Sequence, residues 1–328
     1  MKKSGTLIIS LDFELAWGIR DMPDFDKSKK NIQGAISSLK RMLQLFDQYN
    51  IKVTLAVVGF LLHKNKKELE ISIPTHQPSY RDKNLSPYSS YIHQSVTYSQ
   101  RELHFCPEFI QYINENCKHE IGSHTYSHYY CLEEGQSLEE FEQDLILFKE
   151  QARSKGIQAQ SIIFPRNQYN KDYLEICLKH GITSFRGNEN SWFNQPVAFS
   201  KLSLFTRVSR LLDSYIRISN STSYSIKEVS KEKPYNLKAS RFLRPYSKYL
   251  SIFDNWKLKR IKNEMTIAAK NGKIYHLWWH PHNFGINQEK NFDFLNKLLN
   301  HYLQLHKKYN FSSATMNEIS QKMELNDI

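Results

Sequence analysis

Segments typical of buried strands and segments typical of amphipathic helices alternate along most of this 328-residue chain. Residues 6–11, for example, form an apolar run, and residues 31–49 carry apolar side chains at helical spacing. The predicted strands are 6–11, 52–58, 119–122, 161–164, 182–185, 273–279 and 311–314, and the predicted helices are 31–49, 107–116, 137–154, 171–180, 256–269 and 292–308. Such alternation predicts an α/β fold with a parallel sheet, because parallel strands need crossover helices between them.

Two segments interrupt this pattern. Residues 63–105 are polar and irregular, with Pro74, Pro78 and Pro87, which predicts a long surface insertion of the kind that often covers a site. A basic segment at about 206–262 has 14 Lys and Arg against four Asp and Glu, so it holds most of the net charge of +12. We expect the whole of 1–328 to form one domain, since barrel enzymes often reach this length in a single unit.

Composition narrows the class of protein. Apolar residues make up 40% of the chain and charged residues 24%, which fits a globular protein with a sizeable core. The longest nearly apolar run, 53–62, is too short to span a bilayer, and acidic residues follow the first apolar run where a signal peptide would need a cleavage site. The four cysteines form no CxxC pair. These features predict a cytoplasmic protein, with reduced thiols.

The ends of the predicted strands carry the candidate catalytic chemistry, because active sites of parallel sheets lie at the carboxyl ends of the strands. Asp12 and Glu14 end the first strand, and residues two apart in a strand project to the same face. His124 and His128 follow the third strand, and this spacing places two imidazoles on one side of a helical turn. Two imidazoles and one carboxylate are a usual zinc ligand set.

Two further strand ends add charged side chains. Arg166 follows the fourth strand, where Asp12 is its candidate carboxylate partner and an exposed loop arginine is the alternative. His280 and His282 follow a late strand beside aromatic residues, where one of them suits a general acid and the other a structural role.

Together these motifs resemble the polysaccharide deacetylase (NodB-homology) family of carbohydrate esterases. The resemblance rests on Ser-Leu-Asp-Phe-Glu at 10–14, His-Thr-Tyr-Ser-His at 124–128, Phe-Pro-Arg-Asn at 164–167 and Leu-Trp-Trp-His at 277–280. The order and the spacing of these motifs match those of the family over most of the chain. The variant motifs look like the branch found in surface-polysaccharide (O-antigen or capsule) synthesis.

The resemblance implies a distorted (β/α) barrel of about seven strands that binds one divalent ion. Zinc is the ion expected first, and Co²⁺, Ni²⁺ and Fe²⁺ are the alternatives. The resemblance also implies that Glu14, His124 and His128 bind the ion, that Asp12 is the general base oriented by Arg166, and that His280 is the general acid. It further implies substrate contacts from Asn167, Trp192 and His282, with Trp17 as the alternative tryptophan. The family's usual motif has adjacent aspartates, whereas Phe13 separates Asp12 from Glu14 here.

The implied reaction removes an acetyl or formyl group from an N-acylated amino sugar. In surface-polysaccharide synthesis such a sugar is carried on a nucleotide or lipid pyrophosphate. We expect several arginines of the basic segment to bind phosphate or an anionic membrane face, from among Arg207, Arg210, Arg217, Arg241 and Arg244. A solvated basic surface explains the charge equally well, and no nucleic-acid motif accompanies it. The alternatives are a metal-dependent amidase for a non-sugar substrate and a non-catalytic barrel that binds carbohydrate or polyanion.

Overall fold

Parallel β-strands lie at the centre of the fold, and the first of them is buried at every position. The computed structural model describes residues 4–22, 25–216, 218–219 and 222–326. Within these residues the strands are β1 (Thr6–Phe13), β2 (Thr54–Val57), β3 (Glu120–Ser123), β4 (Ser161–Ile162), β5 (Ser184–Phe185), β6 (Tyr235–Asn236), β7 (Arg241–Phe242), β8 (Ile274–Trp279) and β9 (Ser312–Ser313). β1 is apolar on both faces over most of its length, as expected for a strand covered on both sides.

The described strands form one sheet with the order β6-β5-β4-β3-β2-β1-β8-β7, and β9 pairs with the start of β1. The neighbouring strands run parallel. The sheet curls into a half-barrel, which confirms the predicted α/β barrel. The row has eight strands instead of about seven, because β6 and β7 lie in the basic segment and are only two residues long. Parallel pairing brings the carboxyl ends of β1, β2, β3 and β8 to one edge.

Helices connect the strands and cover the sheet. In the described residues they are α1 (Phe25–Gln33), α2 (Ala35–Gln48), α3 (Lys66–Ile71), α4 (Ile92–Gln94), α5 (Pro107–Asn116), α6 (Leu138–Arg153), α7 (Lys171–Lys179), α8 (Leu204–Asp213), α9 (Asp254–Asn271), α10 (Gln288–Tyr309) and α11 (Met316–Asn326). The sequence pattern did not predict α8 or α11. At the start of α6, Ser137 and Glu140 form a reciprocal capping box, which is the signature that the sequence indicated there.

The single helix predicted over 31–49 is instead two helices, α1 and α2, which meet at Gly34. A Cβ atom on Gly34 would overlap the backbone carbonyl of Gly285, so the close approach of these two chain segments requires glycine. The Ser38 hydroxyl donates a hydrogen bond of 2.9 Å to the carbonyl oxygen of Phe284 in the same approaching segment. The break therefore lets the loop after β8 pack tightly against the helices.

The segment at 63–105 contains α3, α4 and several tight turns. Ile92, Val96 and Leu103 are fully buried in the main hydrophobic core, so the segment predicted as a surface insertion also contributes to the interior. The carbonyl oxygen of Leu85 accepts a hydrogen bond of 2.6 Å from buried Arg20. The segment thus reaches the side chains that follow β1. None of the described helices is long and apolar enough to cross a lipid bilayer.

Candidate active site

The carboxyl end of β1 supplies two buried carboxylates, Asp12 and Glu14. Asp12 lies in the strand itself, and Glu14 precedes a short 3-10 turn at Leu15–Gly18. A Cβ atom on Gly18 would overlap the carboxyl group of Glu14, so the turn forms a close-fitting cradle for this side chain. Nε2 of His280 lies 3.7 Å from a carboxylate oxygen of Asp12 and 3.7 Å from one of Glu14. The two acids therefore face one site, as their spacing predicted.

Arg186 is the guanidinium that holds Asp12. Its Nη1 and Nη2 atoms donate to the two carboxylate oxygens of Asp12 over 2.6 and 2.7 Å, which is the bidentate geometry of strong arginine–carboxylate pairs. Nη2 also donates to Oδ1 of Asn167 over 3.0 Å. Burial raises the pKa of Asp12, but the charge and hydrogen bonds of Arg186 outweigh it and hold the pKa below its usual value. Asp12 is therefore an oriented, ionised carboxylate at neutral pH.

The expected pairing of Arg166 with Asp12 is wrong. Arg166 has a left-handed backbone conformation with a φ angle of 55°, and its Nη2 atom donates to Asp21 over 2.6 Å. Its guanidinium also lies over the ring of Tyr130, 4.1 Å from the centroid. The positive φ turns Arg166 towards the segment after β1, which leaves Asp12 to the arginine that follows β5.

His124 and His128 lie in the loop after β3 and not in a helical turn, so that part of the prediction is wrong. Thr125 and His128 have φ angles of 61° and 59°, and these left-handed residues fold the loop back on itself. Nε2 of His124 and Nε2 of His128 lie 3.2 and 3.0 Å from the same oxygen of Glu14. Asp144 of α6 fixes the loop by accepting the backbone N–H groups at positions 126 and 127.

The donor set of Glu14, His124 and His128 fits a divalent ion. The three ligand atoms lie within 4.8 Å of one another, and the two contacts to Glu14 are close to the roughly 3.4 Å that separates ligands of a tetrahedral zinc ion. Nδ1 of His124 donates to the carbonyl oxygen of Ile163 over 2.8 Å, which leaves the lone pair of its Nε2 atom facing Glu14. Burial opposes ionisation of Glu14, yet the charge of His280 and the contacts with His124 and His128 hold its pKa well below the usual range.

Arg20 adds one condition to this fit. Its Nη1 atom lies 3.2 Å from Nδ1 of His128, and a guanidinium only donates, so Nε2 of His128 carries the imidazole proton in this state. A neutral imidazole that binds an ion through Nε2 carries its proton on Nδ1. Burial, together with the charges of His124 and Arg20, lowers the pKa of His128 to about 4, so the ring is neutral as a ligand must be. Binding an ion through Nε2 thus needs the other tautomer of His128, with its proton on Nδ1 beside Arg20.

His280 and His282 both reach the cluster from the segment after β8. Their rings stack with centroids 5.0 Å apart, and Nδ1 of His282 lies 3.9 Å from Oε1 of Glu14. Burial and the charge of His280 lower the pKa of His282 to about 4, so His282 is neutral at physiological pH. His280 is the more exposed of the two, and it therefore remains the candidate proton donor.

The tryptophan expected to contact substrate is not at the cluster. Trp192 is largely exposed and stacks on Phe205, with ring centroids 5.6 Å apart, and the alternative, Trp17, is fully buried in the core. Trp278 of β8 lies beside the catalytic candidates instead. Its ring centroid is 5.7 Å from that of His280 and 4.0 Å from the guanidinium carbon of Arg186.

A cavity of about 180 Å³ adjoins the Asp12 side of the cluster. Asn167 and Trp278 line it, and both also contact Arg186. Four arginines contribute to its wall: Arg166, Arg210, Arg241 and Arg244. The basic segment thus reaches a pocket next to the candidate catalytic residues.

The arginines of this cavity differ in how their charge is balanced. Arg241 forms ion pairs with Asp213 and Glu264 over 2.8 and 2.9 Å. Within the described residues, Arg210 and Arg244 form no ion pair, and they donate only to neutral oxygens. Burial lowers the pKa of Arg210, although the charge of Glu189, which lines the same cavity, opposes this shift. Two partly buried positive charges therefore face the cavity without an acidic counterpart in contact.

Sequence reasoning missed three side chains of this site. Arg186 directly follows the strand predicted at 182–185, so the rule that selected Arg166 applied to it equally. Trp278 lies two residues before His280 in the same motif, where the sequence alone assigns it no role beyond that of a neighbouring aromatic residue. Arg20 had no signal, because its contact with His128 bridges residues 108 positions apart.

Comparison with known proteins agrees with this geometry. Residues 25–185 match the family model described as polysaccharide deacetylase. This match covers just under half of the chain. The matched stretch includes His124 and His128, whereas Asp12, Glu14 and His280 lie outside it. No protein of curated function matches the sequence significantly.

Solved structures of this fold cover nearly the whole chain. A protein assigned as a polysaccharide deacetylase from Mycobacterium smegmatis superposes with a TM-score of 0.61 at 14% identity, over 100% of this chain and 93% of its own. One assigned in the same way from Pseudomonas aeruginosa PAO1 has a TM-score of 0.56 at 11% identity, covering 96% and 89%. Puue allantoinase also has a TM-score of 0.56, at 10% identity and with the same coverage. At these identities the likeness shows the shared fold.

Proposed function

We propose that this polysaccharide deacetylase homologue is a metal-dependent hydrolase that removes an N-acyl group, acetyl or formyl, from an amino sugar. The observation that supports it is the convergence of Glu14, His124 and His128, with Asp12 and His280 beside them. Zinc is the ion proposed first, because two imidazoles and a carboxylate are its usual catalytic ligands. Co²⁺, Ni²⁺ and Fe²⁺ suit the same donors.

A divalent ion held by these three side chains supplies Lewis-acid polarisation of the amide carbonyl. Asp12 accepts a proton from the attacking water, and Arg186 holds its two oxygens in place while it does so. His280, when protonated, donates its Nε2 proton to the amide nitrogen as the C–N bond breaks. An amine leaves poorly unless it is protonated, so the reaction needs both groups. The products are a carboxylate and the free amino sugar.

Asp12→Asn tests the division of roles within the site. Asparagine keeps the shape of the side chain and removes the proton acceptor, so turnover should fall about 10²–10⁴-fold while the bound metal remains. Purified wild-type protein should contain about one divalent ion per chain, and His124→Ala/His128→Ala should lose it. The activity assay measures acetate or formate released from a panel of N-acyl sugars and sugar nucleotides.

Four results would contradict the proposal. Full metal content in the double histidine variant would exclude these ligands, and a metal-free Asp12→Asn would make Asp12 a ligand. Release of acid from simple amides but from no sugar would favour an amidase of another class. Sugar binding without turnover, in the metal-loaded protein, would favour a non-catalytic barrel.

We also propose that the sugar is carried on a pyrophosphate, as in the surface-polysaccharide branch of the family. Support comes from Arg210 and Arg244 in the cavity beside the catalytic candidates. Arg241 is engaged by buried acids, Arg207 is exposed and lies over the ring of Phe199, and Arg217 lies outside the described residues. Of the five candidate arginines, Arg210 and Arg244 are therefore the two that we propose to bind the pyrophosphate.

The Michaelis constants of matched substrates test the phosphate hypothesis. For a pyrophosphate-linked N-acyl sugar, Arg210→Ala/Arg244→Ala should raise KM about tenfold or more, since a charged hydrogen bond contributes about 1.5–3 kcal/mol. The KM of the free N-acyl sugar should change little. Arg153→Ala, at an exposed arginine of α6, is the control. Equal KM values for both substrates in all variants would refute phosphate binding and leave a solvated basic surface.

The cellular place of this reaction is part of the same proposal. Nucleotide-linked and lipid-linked sugars are substrates of cytoplasmic enzymes, and we place the protein in the cytoplasm, at the inner face of the membrane. The ranges 1–328 for the domain and 63–105 for the insertion remain predictions. So do Asn167 and His282 as substrate contacts, although both lie within this site.

A further inference from the structure

Helix α8 is oriented with its polar face inwards and its apolar face outwards. Leu204 and Phe205 are 77% and 69% exposed, and Val208 and Leu212 continue the same exposed face at helical spacing. On the opposite face Ser209 and Asp213 are buried. Amphipathic helices of globular proteins normally have the reverse arrangement.

Ion pairs of Asp213 impose this orientation. Its carboxylate lies 2.8 Å from a guanidinium nitrogen of Arg241 and 3.0 Å from one of Arg260. Rotating α8 to bury its leucines would separate Asp213 from both arginines, and breaking a buried ion pair is strongly destabilising. The exposed apolar face is therefore a built feature of the fold.

Other exposed apolar side chains extend this surface. Trp192 stacks on Phe205, and Ile216 is exposed just beyond the end of α8. We name the resulting surface the apolar ridge; it consists of Trp192, Leu204, Phe205, Val208, Leu212 and Ile216. Contiguous exposed apolar surfaces of this kind mark interaction sites.

The exposed charged side chains in and beside α8 are positive. Lys201 and Arg207 are exposed in and beside α8, and between residues 202 and 216 the only acidic residue of the sequence is Asp213, which is buried and paired. Exposed Lys248 and Lys259 belong to the same basic segment. Tryptophan, phenylalanine and leucine on one face with Lys and Arg around it characterise helices that lie in the surface of anionic membranes.

We propose that the apolar ridge docks on the surface of an anionic lipid membrane. Leu204 and Phe205 enter the region between headgroups and acyl chains, and the basic residues contact acidic headgroups. Arg210 of the same helix lines the cavity beside the candidate catalytic residues, so docking places that cavity close to the lipid surface. Access to a lipid-linked sugar is the consequence that rests on the proposed function.

Vesicle sedimentation of the full chain tests docking without any enzyme assay. At low salt, the wild type should bind vesicles of phosphatidylcholine with 30% phosphatidylglycerol and bind phosphatidylcholine alone much more weakly. Leu204→Ser/Phe205→Ser should lower the partition coefficient at least about tenfold. Ile71→Ser/Leu325→Ser, at residues that are 79% and 74% exposed in α3 and α11, should leave it unchanged. Raising the salt from 0.1 to 1 M, which shortens the screening length from about 10 to about 3 Å, should weaken binding.

Other occupants of the apolar ridge predict different results. Absence of binding to anionic vesicles, or equal loss in both double variants, would overturn the proposal. A wild type that elutes as a dimer, and becomes a monomer in Leu204→Ser/Phe205→Ser without binding vesicles, would assign the surface to a second copy of the chain. Because these measurements use no substrate, failure of the deacylation assay leaves the docking result intact, and the converse also holds.

Discussion

Arg186 and Asp12 form an ion pair whose side chains are 0% and 4% exposed, so replacing one residue leaves the other as an uncompensated buried charge. Arg186→Met removes two hydrogen bonds of 2.6 and 2.7 Å to the carboxylate. Hydrogen bonds to charged groups contribute about 1.5–3 kcal/mol each, and breaking a buried pair costs about 3–5 kcal/mol. We expect Arg186→Met to lower the free energy of unfolding by about 3–5 kcal/mol.

The double variant Arg186→Met/Asp12→Asn should recover much of this loss, because it leaves neither charge in the interior. We therefore expect a coupling energy of at least about 2 kcal/mol between the two positions. Urea-unfolding midpoints of the four proteins, measured with and without added zinc, give this value directly. The metal-free series isolates the ion pair from any loss of bound ion.

Arg41 and Glu289 provide a matched control. Their closest nitrogen–oxygen distance is also 2.6 Å, but both side chains are exposed, and exposed pairs contribute about 0.2–1 kcal/mol. The same cycle with Arg41→Met and Glu289→Gln should therefore give a small coupling energy. If the Arg186–Asp12 coupling is no larger than that of this surface pair, burial does not govern the strength of the interaction and our reasoning is refuted.

Three further variants test other features. Gly18→Ala should displace the Glu14 carboxyl group and lower the metal content, with an unchanged circular dichroism spectrum. Burial and nearby acids raise the pKa of Glu189 from 4.5 to about 7. The contribution of Glu189 to stability is therefore full below pH 4.5 and is lost as the pH rises through 7. Glu189→Gln should reduce the fall in the free energy of unfolding between pH 5 and pH 8 by about 1–3 kcal/mol. Ser137→Ala should cost about 1 kcal/mol through loss of the α6 cap, and Ser154→Ala at the other end of that helix much less.

The strand-end rule predicted most of the candidate site from the sequence. Asp12, Glu14, His124 and His280 each follow or end an apolar strand, and parallel pairing brings them together whatever the loops do. The rule did not determine which arginine pairs with Asp12. β4 and β5 end at the same edge, and the choice between Arg166 and Arg186 depends on a positive φ angle that the residue types do not reveal.

Helical periodicity failed to predict the local structure at two places, for different physical reasons. His124 and His128 are four residues apart, but their loop is fixed by Asp144 and by left-handed residues instead of by helical hydrogen bonds. Helix α8 escaped prediction because its apolar stripe lies within the basic segment and faces solvent. Its orientation depends on ion pairs between Asp213 and arginines that lie 28 and 47 positions along the chain.

Because β1 lies in the middle of the sheet, its neighbours are made at very different times during translation. β2 emerges soon after β1, but β8 and β9 follow more than 250 residues later, which corresponds to tens of seconds at about 5–20 residues per second. During that interval one edge of β1 has no hydrogen-bonded partner strand, and a nascent chain with such an unpaired apolar edge is prone to aggregate. We expect folding to depend on chaperones that shield this edge. His280 follows β8, so the candidate active site is completed only when nearly all of the chain has left the ribosome.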